Sequence, residues 1–158
     1  MEAKSSDQEP IKVLVADNYP LARREIIRVL ETQPDMIVAG EASNGLEALA
    51  QARAIKPDLV LMDVRMPHCN GIEATYLILH EIPQTKIIIL TMSDDDQDLF
   101  QAIEAGAQGY LLKNLEPAVL VNMVRGVFKG EAPISRLAAG RIMREFARGT
   151  KNKEDHLD

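Results

Sequence analysis

Short apolar runs of strand length alternate with segments of helical period, and the alternation repeats five times between residues 12 and 129. The runs that read as strands are 12–16, 36–40, 59–62, 86–90 and 109–112. Between the first two, Ala22, Ile26, Val29 and Leu30 recur on one helical face. Pro20 suits the first turn of that helix, where its missing N–H breaks no hydrogen bond. Segments 45–54, 72–80, 95–105 and 117–129 carry the same period. The runs LVLM (59–62) and IIIL (87–90) are apolar at every position, as strands are when helices cover both faces of a parallel sheet. Right-handed crossovers then build an open α/β fold, a doubly wound five-stranded parallel sheet with helices on both faces.

Ligands of such sheets bind beyond the carboxyl ends of the strands, where the strand order reverses. The positions just past the strands are Asp17 and Asn18 after the first, Asp63 after the third, Thr91 after the fourth and Lys113 after the fifth. In the common order 2-1-3-4-5 these strands are consecutive neighbours, so the side chains converge on one edge. Two carboxylates about 4 Å apart repel by about 4 kcal/mol at an effective dielectric of ~20, so a cation has to sit beside them. Mg²⁺ suits such a place, because it binds through one or two carboxylates, keeps several waters and completes its shell with phosphate oxygens. Lys113 can neutralise a phosphoryl oxygen from the other side and the Thr91 hydroxyl can hydrogen-bond another. The set suits an aspartyl phosphate, formed by a carboxylate nucleophile while cation and lysine spread the developing charge.

Composition narrows the setting. The 158 residues carry a formal net charge of −6 and 46% hydrophobic side chains, enough for a core without a structural metal or disulfide. The single cysteine, Cys69, cannot form an intrachain bridge. No run approaches the ~18 apolar residues of a membrane span, and MEAKSSDQEP lacks the apolar core of a secretory signal, so the expected location is cytoplasmic. Acidity, aromatics at 4% and the lack of tryptophan argue against a nucleic-acid surface over most of the chain. Residues 125–153 depart from this, with eight basic against two acidic side chains. The expected organisation is a disordered lead over 1–10, a domain over 11–130 and a linker over 131–158. Within the linker, Ala138, Ile142 and Phe146 at helical spacing, with Arg141, Arg144 and Arg148 on other faces, predict an amphipathic helix over about 135–148.

The runs VLVADNYPLAR (13–23), PDLVLMDVRMPHCNG (57–71), KIIILTMSDDD (86–96) and GAQGYLLKN (106–114) resemble the receiver domain of bacterial two-component response regulators, over about residues 11–130. LTMSDDD followed by GAQGYLLK and KGEAPIS is most similar to the NarL/FixJ subfamily, whose regulators carry a LuxR-type helix-turn-helix after the receiver. The resemblance implies a flavodoxin-like fold and a phosphorylation-activated receiver, not an enzyme, within a transcription regulator. Asp63 would be the phosphoacceptor, taking its phosphoryl group from a sensor histidine kinase. Mg²⁺ would be held by Asp17, Asp63 and the backbone carbonyl of Arg65. Thr91 would move to contact the phosphoryl group, Lys113 would hold it, and Tyr110 matches the aromatic position whose rotamer follows Thr91. A homodimer is expected, with DNA bound only through a C-terminal helix-turn-helix that this chain lacks. Pro67 and Gly71 would shape the loop after the acceptor, glycine permitting backbone angles that other residues resist.

One departure matters. The family usually places two adjacent acids after the first strand, the second a direct Mg²⁺ ligand, and that second place is Asn18 here. An amide oxygen can ligate but brings no formal charge, so weaker Mg²⁺ binding is expected than in a typical receiver. The rival reading is a receiver-like interaction module that dimerises or binds partners without being phosphorylated. Two enzyme readings fit less well. An Asp-nucleophile phosphatase wants a second Asp two residues on, where Arg65 stands, and a nucleotide or flavin site wants a Gly- or Thr-rich loop after the first strand, whereas 18–21 contains no glycine. His68 reads as a solvated loop histidine, with no spacing that pairs it with His80 or His156 as ligands, and Cys69 as a plain thiol. The acidic run 94–98 reads as the solvated first turn of a helix.

Overall fold

The computed structural model describes residues 9–92, 96–113 and 116–131 together with position 147. The lead over 1–8 and the proposed helix over 135–148 lie outside the described residues, position 147 apart. Five strands and five helices alternate: β1 (Ile11–Ala16), α1 (Pro20–Glu31), β2 (Met36–Ala42), α2 (Gly45–Ile55), β3 (Leu59–Met62), α3 (Gly71–Glu81), β4 (Lys86–Thr91), α4 (Asp96–Ala105), β5 (Gly109–Leu112) and α5 (Pro117–Phe128). All strand pairs are parallel and the order is β2-β1-β3-β4-β5. The doubly wound architecture anticipated from the apolar runs is therefore the one formed.

Period-two alternation divides each strand between two cores. Leu14, Ala16, Val60, Met62, Ile87 and Ile89 point to the side closed by α2, α3 and α4, where Ala48, Ala52, Ala74, Ile78, Leu99 and Ala102 meet them. Val13, Val15, Leu59, Leu61, Ile88 and Leu90 point to the side closed by α1 and α5, against Leu30, Leu120, Val121, Val124 and Val127. Each fully buried Leu or Ile contributes about 1.5–3 kcal/mol. Both faces covered is thus the physical meaning of the uninterrupted apolar runs.

The helix ends follow local chemistry. Pro20 and Pro117 open α1 and α5, and Asn70 with Glu73 forms a capping box at α3. Asn44 caps α2, its side chain accepting from Glu47 N–H. Strand β2 runs two residues beyond the anticipated 36–40, because the register slips between Val13 and Leu14 and the ladder then continues to Ala16 opposite Ala42. That continuation carries β1 and β2 together up to the sheet edge where Asp17 begins.

Candidate functional site

Backbone pairing fixes where the strand-end side chains start. Ala16 lies opposite Met62 and Thr91 opposite Leu112, so Asp17 and Asp63 leave adjacent strands at one level, and Lys113 stands one residue beyond the partner of Thr91. The N–H of Asp17 donates to the Ala42 carbonyl, that of Asp63 to Ala16 and that of Lys113 to Thr91. Each site residue is therefore anchored by the last rung of the sheet.

Their side chains meet. Lys113 Nζ lies 2.5 Å from Asp17 Oδ2 and 3.3 Å from Asp63 Oδ2, with the three side chains 8%, 1% and 4% exposed. Thr91 and Tyr110 are also buried, each within reach of polar or ring partners. The other oxygen of Asp17 accepts from Tyr19 N–H at 2.9 Å, a turn that fixes the carboxylate. Arg23 Nη1 donates to the Asp17 carbonyl at 2.6 Å and its Nε to Glu41 at 3.0 Å. Burial holds the Asp63 carboxyl above the usual carboxylate range; the Lys113 ammonium opposes this and the Asp17 charge adds to it. The arrangement is a buried two-carboxylate, one-ammonium cluster, whose charge balance any incoming phosphoryl group must rearrange.

The donor set fits a hard divalent cation. Asp17 Oδ2 and Asp63 Oδ2 are both buried, and both face the Lys113 ammonium. An ionised carboxylate has about four lone-pair sites, so pairing with Lys113 leaves acceptor capacity for a metal. Among the described residues no three His, Cys, Asp or Glu side chains could hold a metal together. A cation here would rest on the two carboxylates and on neutral oxygens, which Mg²⁺ tolerates because it retains waters. Asn18, half-buried beside Asp17, is a neutral oxygen source in the place of a third acid.

The loop after Asp63 is built differently from the sequence reading. Gly71 is required by close approach rather than by unusual backbone angles: a Cβ there would stand 1.9 Å from the Asp63 carbonyl oxygen. The left-handed residue of the loop is instead His68, at φ 69°, exposed as anticipated. Cys69 is buried, and burial pushes its thiol pKa up, which suits an inert packing residue.

Three contacts escaped the sequence reading. Arg65 Nη2 donates to Asp98 Oδ2 at 2.7 Å, so Asp98 in α4 is buried and ion-paired rather than part of a solvated first turn. The ring of Tyr19 lies 5.5 Å from Lys113 Nζ, a cation–π contact at the mouth of the site. Arg23 ties Asp17 to β2 through Glu41. No sequence spacing signals any of them, since each depends on how far a side chain reaches between loops.

Comparison with known proteins agrees with the geometry. The response regulator receiver domain family matches residues 13–125. The chain is 43% identical over 142 residues to the transcriptional regulatory protein YxjL of Bacillus subtilis (strain 168), covering 90% of this chain and 65% of that protein. It is 38% identical over 146 residues to the transcriptional regulatory protein LiaR of the same organism, covering 92% of this chain and 69% of that protein. It thus spans about two thirds of the length of these curated relatives. A crystal structure of a LuxR-family two-component response regulator from Aurantimonas sp. SI85-9A1 superposes with a TM-score of 0.81 at 32% identity, over 88% of this chain and 99% of that one. The chain belongs to the response regulator receiver domain family; the curated relatives it matches are transcriptional regulatory proteins, and the superposed structure is a LuxR-family response regulator.

Proposed function

We propose that this domain is a phosphorylation-operated switch in which Asp63 accepts a phosphoryl group from the phosphohistidine of a sensor histidine kinase. The observation that carries the reading is the convergence of Asp17, Asp63 and Lys113, two buried carboxylates on one ammonium, at the carboxyl edge of the sheet. An Asp63 oxygen attacks phosphorus, the P–O bond forms as the P–N bond breaks, and the imidazole leaves neutral after taking a proton. Lys113 offers its charge to one phosphoryl oxygen and the Thr91 hydroxyl donates to another. Mg²⁺, held by Asp17, Asp63 and the Arg65 carbonyl, with Asn18 a weak ligand at most, would neutralise the transferred group's charge. Movement of Thr91 toward the phosphoryl group would let Tyr110 turn in behind it.

The receiver is no enzyme in the ordinary sense; its own chemistry is limited to self-phosphorylation from a small donor and slow hydrolysis of the product. Its setting would be the cytoplasm; among the described residues no helix is long and apolar enough to cross a membrane. The receiver would extend to about residue 130 and the linker beyond would pass the switch to a homodimer and to a helix-turn-helix that binds DNA. Asn18 weighs toward the rival, an unphosphorylated interaction module, and one experiment separates them. After incubation with acetyl phosphate and Mg²⁺, borohydride reduction turns an aspartyl phosphate into homoserine, which peptide mapping locates. Homoserine at position 63 supports the switch, and unmodified Asp63 under every donor supports the module.

A further inference from the structure

We infer that Arg65 is a second phosphoryl-attracting cation of the site and that Asp98 holds it in reserve. The inference rests on the phosphoryl chemistry proposed for Asp63 and adds to it a residue pair that controls how readily the group arrives.

Arg65 stands two residues beyond Asp63, and two residues of chain span at most about 7 Å, a gap an arginine side chain can cover. Its guanidinium is paired with Asp98, in the first turn of α4. The two partners are unequal: the Arg65 side chain is 63% exposed and that of Asp98 only 11%. Asp98 is the fixed member and Arg65 the one free to swing.

Among the described residues the pair differs in form from two other long-range arginine contacts, and it differs from the single Arg23–Glu41 contact in that there the arginine, 19% exposed, is the more buried partner. Arg53 grips Glu81 through two N–H groups, at 2.7 and 2.5 Å, and Arg125 grips Asp35 through two, at 2.7 and 2.9 Å, while also donating to Gln33. Those two-point clamps join α2 to α3 and α5 to the loop before β2, far from the sheet edge, and are built to hold. Arg65 meets Asp98 through one N–H only. A single contact from an exposed guanidinium is readily surrendered. A phosphoryl group carries roughly two negative charges where Asp98 offers one, so a donor approaching Asp63 competes for Arg65. As Arg65 crosses over, Asp98 loses its partner, and α4, which follows the Thr91 loop, loses its tie to the loop of the phosphoacceptor. The exchange would thus speed phosphorylation and report it to α4.

The test uses the whole chain with acetyl phosphate and Mg²⁺, measuring the rate of adduct formation by intact mass for Asp98→Asn, Arg65→Gln, Arg65→Lys and the combinations. Asp98→Asn frees Arg65 and accelerates phosphorylation by roughly two- to fivefold at low salt, an advantage that shrinks near 0.5 M salt. Arg65→Gln slows it, and Asp98→Asn adds no acceleration in the Arg65→Gln background but retains it with Arg65→Lys, which keeps the charge. A pair that merely props α4 predicts instead that both single variants shift the rate in one direction, and that result, or acceleration by Asp98→Asn without Arg65, overturns the inference. If wild type forms no adduct, the function proposed for Asp63 falls and this inference with it; if wild type is modified but the two signs agree, only the Arg65 role falls.

Discussion

Replacing Lys113 with methionine removes a charge while nearly keeping the volume, and so isolates the electrostatic role of the ammonium. In the native site it stands 2.5 and 3.3 Å from two carboxylates whose side chains are 1% and 4% exposed. Without it, two buried anions face each other, with the Tyr19 N–H and the Val64 backbone among the groups left to compensate them. Breaking a buried pair by removing one partner costs about 3–5 kcal/mol, a large part of the ~5–15 kcal/mol that stabilises a domain. With a urea slope of about 2 kcal/mol per molar, the unfolding midpoint at pH 7 should fall by roughly 2 M. The pH dependence supplies a second readout. Loss of Lys113 removes the influence that opposes burial at Asp63, so its folded pKa rises further above the unfolded value. The folded variant then binds more protons than the unfolded chain, and its stability rises as pH falls toward the unfolded carboxylate range. The gap between variant and wild type should therefore narrow on acidification, and millimolar Mg²⁺ should stabilise the variant more than the wild type. A midpoint within about 0.5 M of wild type at pH 7, or a gap independent of pH, would refute Lys113 as the counter-ion of the pair.

Three further outcomes follow from the same geometry. Gly71→Ala places a methyl 1.9 Å from the Asp63 carbonyl, so the loop must shift; a loss of about 1–3 kcal/mol in denaturant unfolding, with slowed phosphorylation, is expected. Asn18→Asp adds a full charge to the cation site and should tighten Mg²⁺ binding by about ten- to thirtyfold in a calorimetric titration, and equal affinities would show that position 18 is not a ligand. Asp63→Asn removes a carboxyl whose folded pKa is raised by burial and by Asp17. Wild type loses stability as pH rises from the unfolded Asp value through that raised pKa, so the Asn variant should melt higher at pH 7 and show no such advantage below about pH 4.

The fold was legible because the runs LVLM (59–62) and IIIL (87–90) of its central strands are apolar at every position, the mark that two-sided burial leaves. The end of β2 was not, since its extra residues depend on a register slip opposite Val13 and Leu14 that no local pattern encodes. Asp17, Asp63, Thr91 and Lys113 could be picked out because topology alone carries strand ends to one edge. Arg65 with Asp98 and Tyr19 with Lys113 could not, as their contacts are made by long side chains crossing between loops. Asp98 was misjudged for the same reason: an acidic run at a helix start reads as solvated until a partner from another loop is known. Gly71 was identified for the wrong cause, since the obstacle to a side chain there is the Asp63 backbone, a long-range neighbour.

The most direct measurement is the intact mass of the chain after exposure to acetyl phosphate, with and without Mg²⁺, for wild type and for Asp63→Asn. The site described here predicts a single phosphoryl adduct on wild type that requires the cation and is lost in Asp63→Asn. An adduct that persists in Asp63→Asn, or its absence from wild type at saturating donor and Mg²⁺, would contradict it.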